Sequence, residues 1–199
     1  AENERELMPF LKQNKILIQN VFAKAWNFVH CVPEFEFGSE YRSDFLVLCA
    51  DSGWWYADFV EIKSPKARLY LKDGTPSKSL RIAQREISDW QNWIRKNDNY
   101  LRERFSRVLR EIDAPAICRP SIHSKGWAEI KDPRTVIQFS YHIVIGRRHL
   151  LSIEEQERRM ASYKPPFNEQ ITTFDRLLDA AKRLDDYKKC LKKGSTKGG

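Results

Sequence analysis

The spacing of apolar and polar residues predicts helices at the start of the chain, followed by strands. Apolar residues recur at three- and four-residue intervals over residues 2–28, which predicts one helix or two short ones in the region before Pro33. Residues 34–37 are expected to form a short strand. The apolar run 45–50 and the returning segment 54–63 then predict two strands joined by a tight turn.

The second half of the chain is predicted to be mainly helical, with one further strand. After a basic loop at 66–79, helical spacing extends over 80–109, and Asn97-Asp98-Asn99 is a candidate break. Residues 114–132 are predicted to be mostly irregular chain with short strands, and residues 136–145 a further strand. Two helices are predicted at 152–163 and 168–190. This order of elements predicts an α/β or α+β fold with a small central sheet.

Length and composition indicate one globular domain, or one domain with an appendage. The chain has 199 residues, and its 41% hydrophobic content is enough to form an ordinary core. No apolar run approaches the ~20 residues that span a bilayer, so no membrane partner is expected. Four scattered cysteines without Cys-x-x-Cys spacing favour a reducing cytoplasm and no zinc site. The four histidines also lack ligand spacing and are interpreted as structural.

The charge of the chain favours an anionic partner without identifying it. The formal net charge is +8, a value shared by many proteins that bind no nucleic acid. The segment 63–85 is more informative, because it carries seven Lys or Arg residues against one acid, Asp73. Such a basic segment suits a phosphate backbone.

The two central strands bring a pair of acidic residues together. With Ser52-Gly53 as a two-residue hairpin loop, Asp51 pairs with Trp54, and Asp44 then falls opposite Glu61. Directly opposed residues have Cβ atoms ~4.5–5.5 Å apart, close enough for two carboxylates to share one hard cation. A longer loop or a bulge would shift the pairing by about one position.

The residue types in this arrangement suit phosphodiester hydrolysis. Alternation places Glu61 and Lys63 on one face of the strand and Val60 and Ile62 on the other. Mg²⁺ held by one or two carboxylates can neutralise phosphate charge and activate water, and the Ile62 carbonyl is a further candidate ligand. Lys63 could orient or deprotonate that water or stabilise the transition state. The alternative is a strand-edge salt bridge, because Glu-x-Lys occurs often by chance.

Several motifs in order along the chain carry a family resemblance. They are the opening Glu6-Leu7-x-x-Phe10-Leu11, Arg42-Ser43-Asp44-Phe45-Leu46-Val47, Phe59-Val60-Glu61-Ile62-Lys63-Ser64-Pro65, Ala83-Gln84 with Asp89-Trp90-Gln91-Asn92-Trp93, and Val144-Ile145-Gly146-Arg147-Arg148. Together they resemble the PD-(D/E)xK nuclease superfamily, and more closely the nuclease domain of Shedu-type anti-phage defence proteins.

This resemblance implies a mixed central sheet flanked by helices and Mg²⁺-dependent endonuclease activity, with Mn²⁺ as a possible substitute. It also implies double-stranded DNA as the substrate, assembly into a homo-oligomer and a role in bacterial phage defence. Carried over by residue, Asp44 and Glu61 are metal ligands, Lys63 is the catalytic lysine, and Gln84 completes the site. Ser43 stands where many members have Pro. Glu6 matches a first-helix acid that some members add, although we favour a surface position for it.

Residues outside the trio of Asp44, Glu61 and Lys63 receive more general predictions. The candidate nucleic-acid contacts are Lys66, Arg68, Lys78, Arg81, Arg147 and Arg148. The last two suit either a phosphate contact or simple solvation equally well. Trp90 and Trp93 are interpreted as core or interface residues rather than as stacking platforms.

Three segments and three functions are expected. Residues 1–150 form the nuclease core, 151–191 are helices that pack on it or mediate self-association, and 192–199 are a flexible tail. The chain begins inside a helical pattern, so we expect a regulatory N-terminal region to precede it in a longer protein. The leading function is endonuclease; a catalytically silent DNA-binding module and a protein-binding scaffold are the alternatives.

Overall fold

A five-stranded mixed sheet forms the centre of the computed structural model, which describes residues 4–25, 28–51, 54–111, 129–161 and 169–195. The strand order is β1-β2-β3-β4-β5, with β1–β3 antiparallel and β3–β5 parallel. The strands are β1 (Phe28–Phe37), β2 (Tyr41–Asp51), β3 (Trp54–Ile62), β4 (Val136–Val144) and β5 (Glu169–Thr172). The helices are α1 (Glu4–Gln13), α2 (Lys15–Phe22), α3 (Lys78–Lys96), α4 (Asp98–Arg110), α5 (Ile153–Ala161) and α6 (Asp175–Ser195).

Helices cover both faces of the sheet. One face packs against α3 and α4 through a cluster that includes Leu48, Phe59, Ile87, Trp90 and Phe105. The other face packs against α1, α2 and α6 through a second cluster that includes Ile18, Val47, Val60, Phe174 and Leu177. With both faces buried, the central strands are almost continuously apolar, which is why the run 45–50 lacks polar alternation. The prediction of a mixed α+β fold with a central sheet is confirmed.

The hairpin between β2 and β3 has the predicted register. Asp51 lies opposite Trp54, and the pairing continues without a shift to Phe45 opposite Val60. The turn residues Ser52 and Gly53 lie outside the described residues. The same pairing, extended by one step, places Asp44 beside Glu61.

The two largest differences from the predicted element boundaries lie at β1 and α6. Strand β1 begins at Phe28, so Pro33 lies inside a strand that was expected to start at 34. Proline is tolerated there because β1 is an edge strand. The helix predicted from 168 instead begins at Asp175 and follows β5, which pairs with β4. A four-residue strand held by a distant partner is too short to give a periodic pattern.

Other expectations agree with the structure or cannot be compared with it. The long helix is interrupted at Asn97, between α3 and α4, as expected. Trp90 is a buried core residue, and Trp93 packs on Phe37 with ring centroids 5.6 Å apart. Most of the irregular segment predicted at 114–132 lies outside the described residues.

A buried polar cluster ties the chain after α2 to the sheet. His142 Nε2 lies 2.7 Å from Asp58 Oδ1, and Lys24 Nζ lies 3.5 Å from the same oxygen. Lys24 also donates to the hydroxyl of Ser140. The cluster lies on the face that packs against α2, where His142 contacts the ring of Phe22, so the structural interpretation of this histidine agrees with its surroundings.

Gly146 fixes the chain where β4 ends. Its N–H donates to the Ser64 carbonyl at 3.1 Å, and its own carbonyl accepts from Phe174 N at 3.0 Å. With φ of +65°, a Cβ here would lie 2.6 Å from the Ala67 carbonyl oxygen and 2.8 Å from Leu69 Cδ1. Glycine is therefore required both by backbone conformation and by the close approach of the loop after β3.

We expect Gly146→Ala to lower the free energy of unfolding by about 2 kcal/mol or more, because left-handed backbone strain adds to a clash with a backbone oxygen. Gly74→Ala is the matched control, since Gly74 has φ of +82° but faces only the flexible Arg158 side chain. Urea denaturation of the two variants measures the difference. Equal losses would show that the close approach at Gly146 adds nothing.

Candidate active site

Asp44 lies where regular pairing of β2 lapses on both sides. The β1–β2 register passes over Glu34 and Asp44, and Glu34 has a positive φ of 49°. The β2–β3 register ends at the pair Phe45 and Val60, so it stops one residue short of Asp44. Beyond the last backbone pair, the Asp44 side chain accepts a hydrogen bond from β3: Ile62 N–H donates to Asp44 Oδ2 at 2.7 Å. Asp44 is thus anchored to β3 next to Glu61.

Lys63 bridges two carboxylates that come from different elements. Its Nζ lies 2.6 Å from Glu61 Oε1 on β3 and 2.9 Å from Glu86 Oε2 on α3. The side chains of Glu61 and Lys63 are only 9% and 14% exposed, so both ions are largely removed from water. Alternation along β3 directs them to the face covered by α3, as the sequence predicts, and α3 supplies the second acid.

The carboxylates at this site are harder to ionise than free ones. Burial raises the pKa of Asp44 to about 6, against the opposing effect of the Ile62 N–H. Burial also raises the pKa of Glu61 to about 8; the neighbouring charge of Asp44 adds to this rise, and the charge and hydrogen bond of Lys63 oppose it. The fold therefore disfavours having both carboxylates ionised at once, and a cation bound between them would favour it.

Lys63 is held as an ammonium ion. Burial alone would lower its pKa, but the carboxylates of Glu61 and Glu86 outweigh burial and raise the pKa above its ordinary value. A lysine in this state is suited to electrostatic stabilisation of a charged transition state. It is poorly suited to accept a proton from water.

The donor set fits a hard divalent cation held with few protein ligands. Asp44 and Glu61 present oxygen donors, and burial, the largest cause of their raised pKa values, removes both from the water that would otherwise stabilise their charge. Within the described ranges, no three His, Cys, Asp or Glu side chains converge as a group that could hold a metal. Mg²⁺ commonly binds through one or two carboxylates and retains several waters, so a full protein cage is not required.

Two acids near the site were missed by the sequence prediction. Glu86 contacts Lys63, and Glu4 on α1 contributes to the raised pKa of Asp44. Glu86 is the only acid between Asp73 and Asp89 and directly follows the basic segment 63–85, which was a usable sequence signal. The first-helix acid considered earlier, Glu6, is exposed, so the expected surface position agrees with the structure.

Gln84 is half-buried on α3, two residues before Glu86. Residues two positions apart on an ideal helix point about 200° apart, so Gln84 and Glu86 flank opposite sides of the buried stripe. That stripe comprises Leu80, Ala83, Ile87, Trp90 and Ile94. The role of Gln84 stays a prediction, as does the Ile62 carbonyl as a metal ligand.

Comparison with known families now assigns the chain. Residues 1–178 match the family described as "Shedu protein SduA, C-terminal". The chain belongs to this Shedu family. No curated protein gives a significant match. Membership of a Shedu family suggests a role in anti-phage defence. None of the helices in the described ranges combines the length and apolar character that a membrane crossing requires.

The predicted nucleic-acid contacts in this Shedu-family chain fall into three groups. Lys66 and Arg147 line one cavity of about 340 Å³ together with Pro65, His149 and Leu150, at the ends of β3 and β4. Arg148 lines a second cavity and is bonded to Asp179 at 3.2 Å. The remaining three are exposed on the loop after β3 and the first turn of α3: Arg68, Lys78 and Arg81. Their contact with nucleic acid stays a prediction.

Proposed function

We propose that this chain is a Mg²⁺-dependent DNA endonuclease of anti-phage defence, built on a PD-(D/E)xK nuclease core. The observation that carries the proposal is the position of Asp44 beside Glu61 across the hairpin, next to the largely buried Lys63. Their raised pKa values support it, because two carboxylates that resist ionisation are stabilised by a cation between them. Family membership supports the defence role.

Each residue has a distinct proposed task. Asp44, Glu61 and the Ile62 carbonyl would hold Mg²⁺, which supplies charge neutralisation at the scissile phosphate and a more acidic bound water. Mn²⁺ is the expected substitute. Lys63, kept as an ammonium ion by its neighbours, stabilises the negative charge that develops on the phosphate oxygens. Glu86 positions the Lys63 ammonium from α3.

DNA is the proposed substrate because basic residues lie near the trio of Asp44, Glu61 and Lys63. Lys66 and Arg147 meet in a cavity at the ends of β3 and β4, the same end of the sheet as Glu61 and Lys63. Ligands of open α/β sheets commonly bind beyond the carboxyl ends of the strands. A backbone that crosses this edge would bring a phosphate to the trio while its neighbours contact Lys66 and Arg147.

A silent DNA-binding module is the second candidate, and one observation favours it. Lys63 already bridges Glu61 and Glu86, so part of the negative charge has an internal counter-ion. A protein of this kind would bind DNA with strong salt dependence and would never cut it.

Cleavage assays on supercoiled and linear DNA test the proposal. We expect wild-type protein to nick or cut with Mg²⁺ or Mn²⁺ and to be inactive in EDTA. Asp44→Asn keeps an acceptor for Ile62 N–H but loses the charge, and should reduce cleavage by about 100-fold or more. Salt-sensitive binding without cleavage under any metal condition would favour the silent module, and equal cutting by Asp44→Asn would remove Asp44 from the site.

A further inference from the structure

A cavity lined by three arginines lies beside β5, two strands along the sheet from the trio of Asp44, Glu61 and Lys63. It measures about 330 Å³ and is formed by the end of α5, by β5 and by the start of α6. Arg148, Arg159 and Arg176 line it together with Gln170 and Thr172. No acidic and no aromatic residue is among the described residues that line it.

We propose that this three-arginine cavity is a phosphate-binding subsite that holds a backbone phosphate of the bound nucleic acid. The inference rests on the proposed function for the source of the phosphate, and on the cavity itself for the chemistry. Arginine is the residue best suited to phosphate oxygens, because its planar donors pair with them bidentately.

Two of the three arginines at this cavity, Arg148 and Arg176, are held in place by the surrounding elements. Arg148 donates its backbone N–H to Asp175 Oδ2 at 2.5 Å and its guanidinium to Asp179 at 3.2 Å. Arg176 donates to Gln170 Oε1 at 3.3 Å. Positioned guanidinium groups lose less conformational entropy on binding than free surface side chains do.

The electrostatic environment of Arg176 favours an anion. Arg176 is exposed by solvent accessibility, but partial burial lowers its pKa, and the nearby charge of Arg183 lowers it further. Both effects disfavour the charged guanidinium, and a phosphate in the cavity would offset both. The two acids that hold Arg148, Asp175 and Asp179, reduce the positive potential on that side without lining the cavity.

The cavity lies at the same end of the strands as the candidate active site. Ile62 pairs with Val144, and Val144 pairs with Thr172, so Thr172 lies two strand spacings from Ile62. At ~4.8 Å per strand this is roughly 10 Å, the axial rise of about three nucleotides of one DNA strand. The cavity that contains Lys66 and Arg147 lies at the ends of the strands between these points. One nucleic-acid strand could therefore contact all three positions.

DNA binding measured in EDTA tests the subsite without requiring cleavage. We expect the double variant Arg159→Gln/Arg176→Gln to bind a short labelled duplex about tenfold more weakly at moderate salt. The slope of log affinity against log salt should fall by about 1, since each lost phosphate contact removes ~0.9. The charge-retaining variant Arg159→Lys/Arg176→Lys should keep most of the slope. Arg107→Gln, an exposed arginine on α4, is the control and should change neither quantity.

Titration calorimetry with inorganic phosphate and pyrophosphate separates the two sources of phosphate. DNA affinity that falls only in the cavity variant, without binding of free phosphate, supports the backbone subsite. Free phosphate bound by wild type and lost in the variant, with unchanged DNA affinity, overturns the backbone source in favour of a small ligand. Unchanged DNA affinity and no phosphate binding overturn the subsite altogether. Wild-type protein that binds DNA through this cavity but never cuts it would contradict the proposed function and not the subsite.

Discussion

Replacing Lys63 with methionine is expected to reduce Mg²⁺-dependent DNA cleavage by about 100-fold or more, because one preorganised positive charge at the phosphate is lost. The Lys63 ammonium lies within 2.9 Å of carboxylate oxygens from both β3 and α3, so its position is fixed before substrate binds. DNA affinity should stay within about threefold of wild type, since one buried charge contributes little to binding of a polyanion. Gel assays of cleavage and fluorescence anisotropy measure the two effects.

The control for this variant is Lys131→Met. Lys131 also pairs with one glutamate, Glu103, at 2.7 Å, but its side chain is 38% exposed and belongs to a different part of the fold. The Lys131→Met protein should cleave DNA at the wild-type rate. Lys63→Met leaves Glu61 and Glu86 without their shared cation, so circular dichroism must show that the variant is folded. A folded Lys63→Met protein that cuts as fast as Lys131→Met would exclude Lys63 from the chemistry.

The hairpin at the centre of the site could be predicted from the sequence because its geometry is local. A two-residue loop fixes the register of both strands, and alternation then fixes the face on which each side chain lies. Those two rules were enough to place Asp44 near Glu61 and to place Glu61 and Lys63 on one face. The identity of these residues as oxygen donors and a cation followed directly from the sequence.

The parts that could not be predicted depend on how distant segments pack. Glu86 reaches Lys63 only because α3 docks across the sheet on the face of Phe59. Strand β5 forms only because β4 offers an edge to which it can pair, and its four residues carry no periodicity. The three-arginine cavity likewise joins residues from α5 and α6 that the sequence separates by a strand. Helical periodicity predicts which face of α3 is buried, but it does not predict that Glu86, beside that face, pairs with Lys63.

The clustered acids at the site also predict how stability depends on pH in the absence of metal. The pKa of Glu61 is raised from its ordinary 4.5 to about 8, so the folded protein binds a proton that the unfolded chain releases. Stability from this group is therefore fully present below about pH 4.5 and is lost as the pH rises toward 8. Asp44, raised from 3.8 to about 6, acts in the same direction over a lower range. The metal-free protein should be less stable at pH 8 than at pH 5.

Glu61→Gln is accordingly expected to stabilise the metal-free protein at pH 8 by an amount on the order of a few kcal/mol, raising Tm by roughly 5 °C or more. At pH 5, where Glu61 is already protonated, the two proteins should have similar Tm values. The same variant should lose metal-dependent cleavage. Glu61 would then be a residue that is needed for activity but lowers the stability of the fold. Thermal unfolding in EDTA at the two pH values measures the effect.

Mg²⁺ provides the decisive comparison, because protons and cations compete for the same carboxylates. Added at pH 8, it should raise the Tm of wild type and leave Glu61→Gln nearly unchanged. Glu103→Gln is the matched control: the Lys131 hydrogen bond lowers the pKa of Glu103, so its replacement should not stabilise the protein at any pH. If Glu61→Gln melts below wild type at pH 8 in EDTA, the ion pair with Lys63 outweighs the repulsion from Asp44. The site would then be a satisfied salt bridge, with no excess charge for a metal to neutralise.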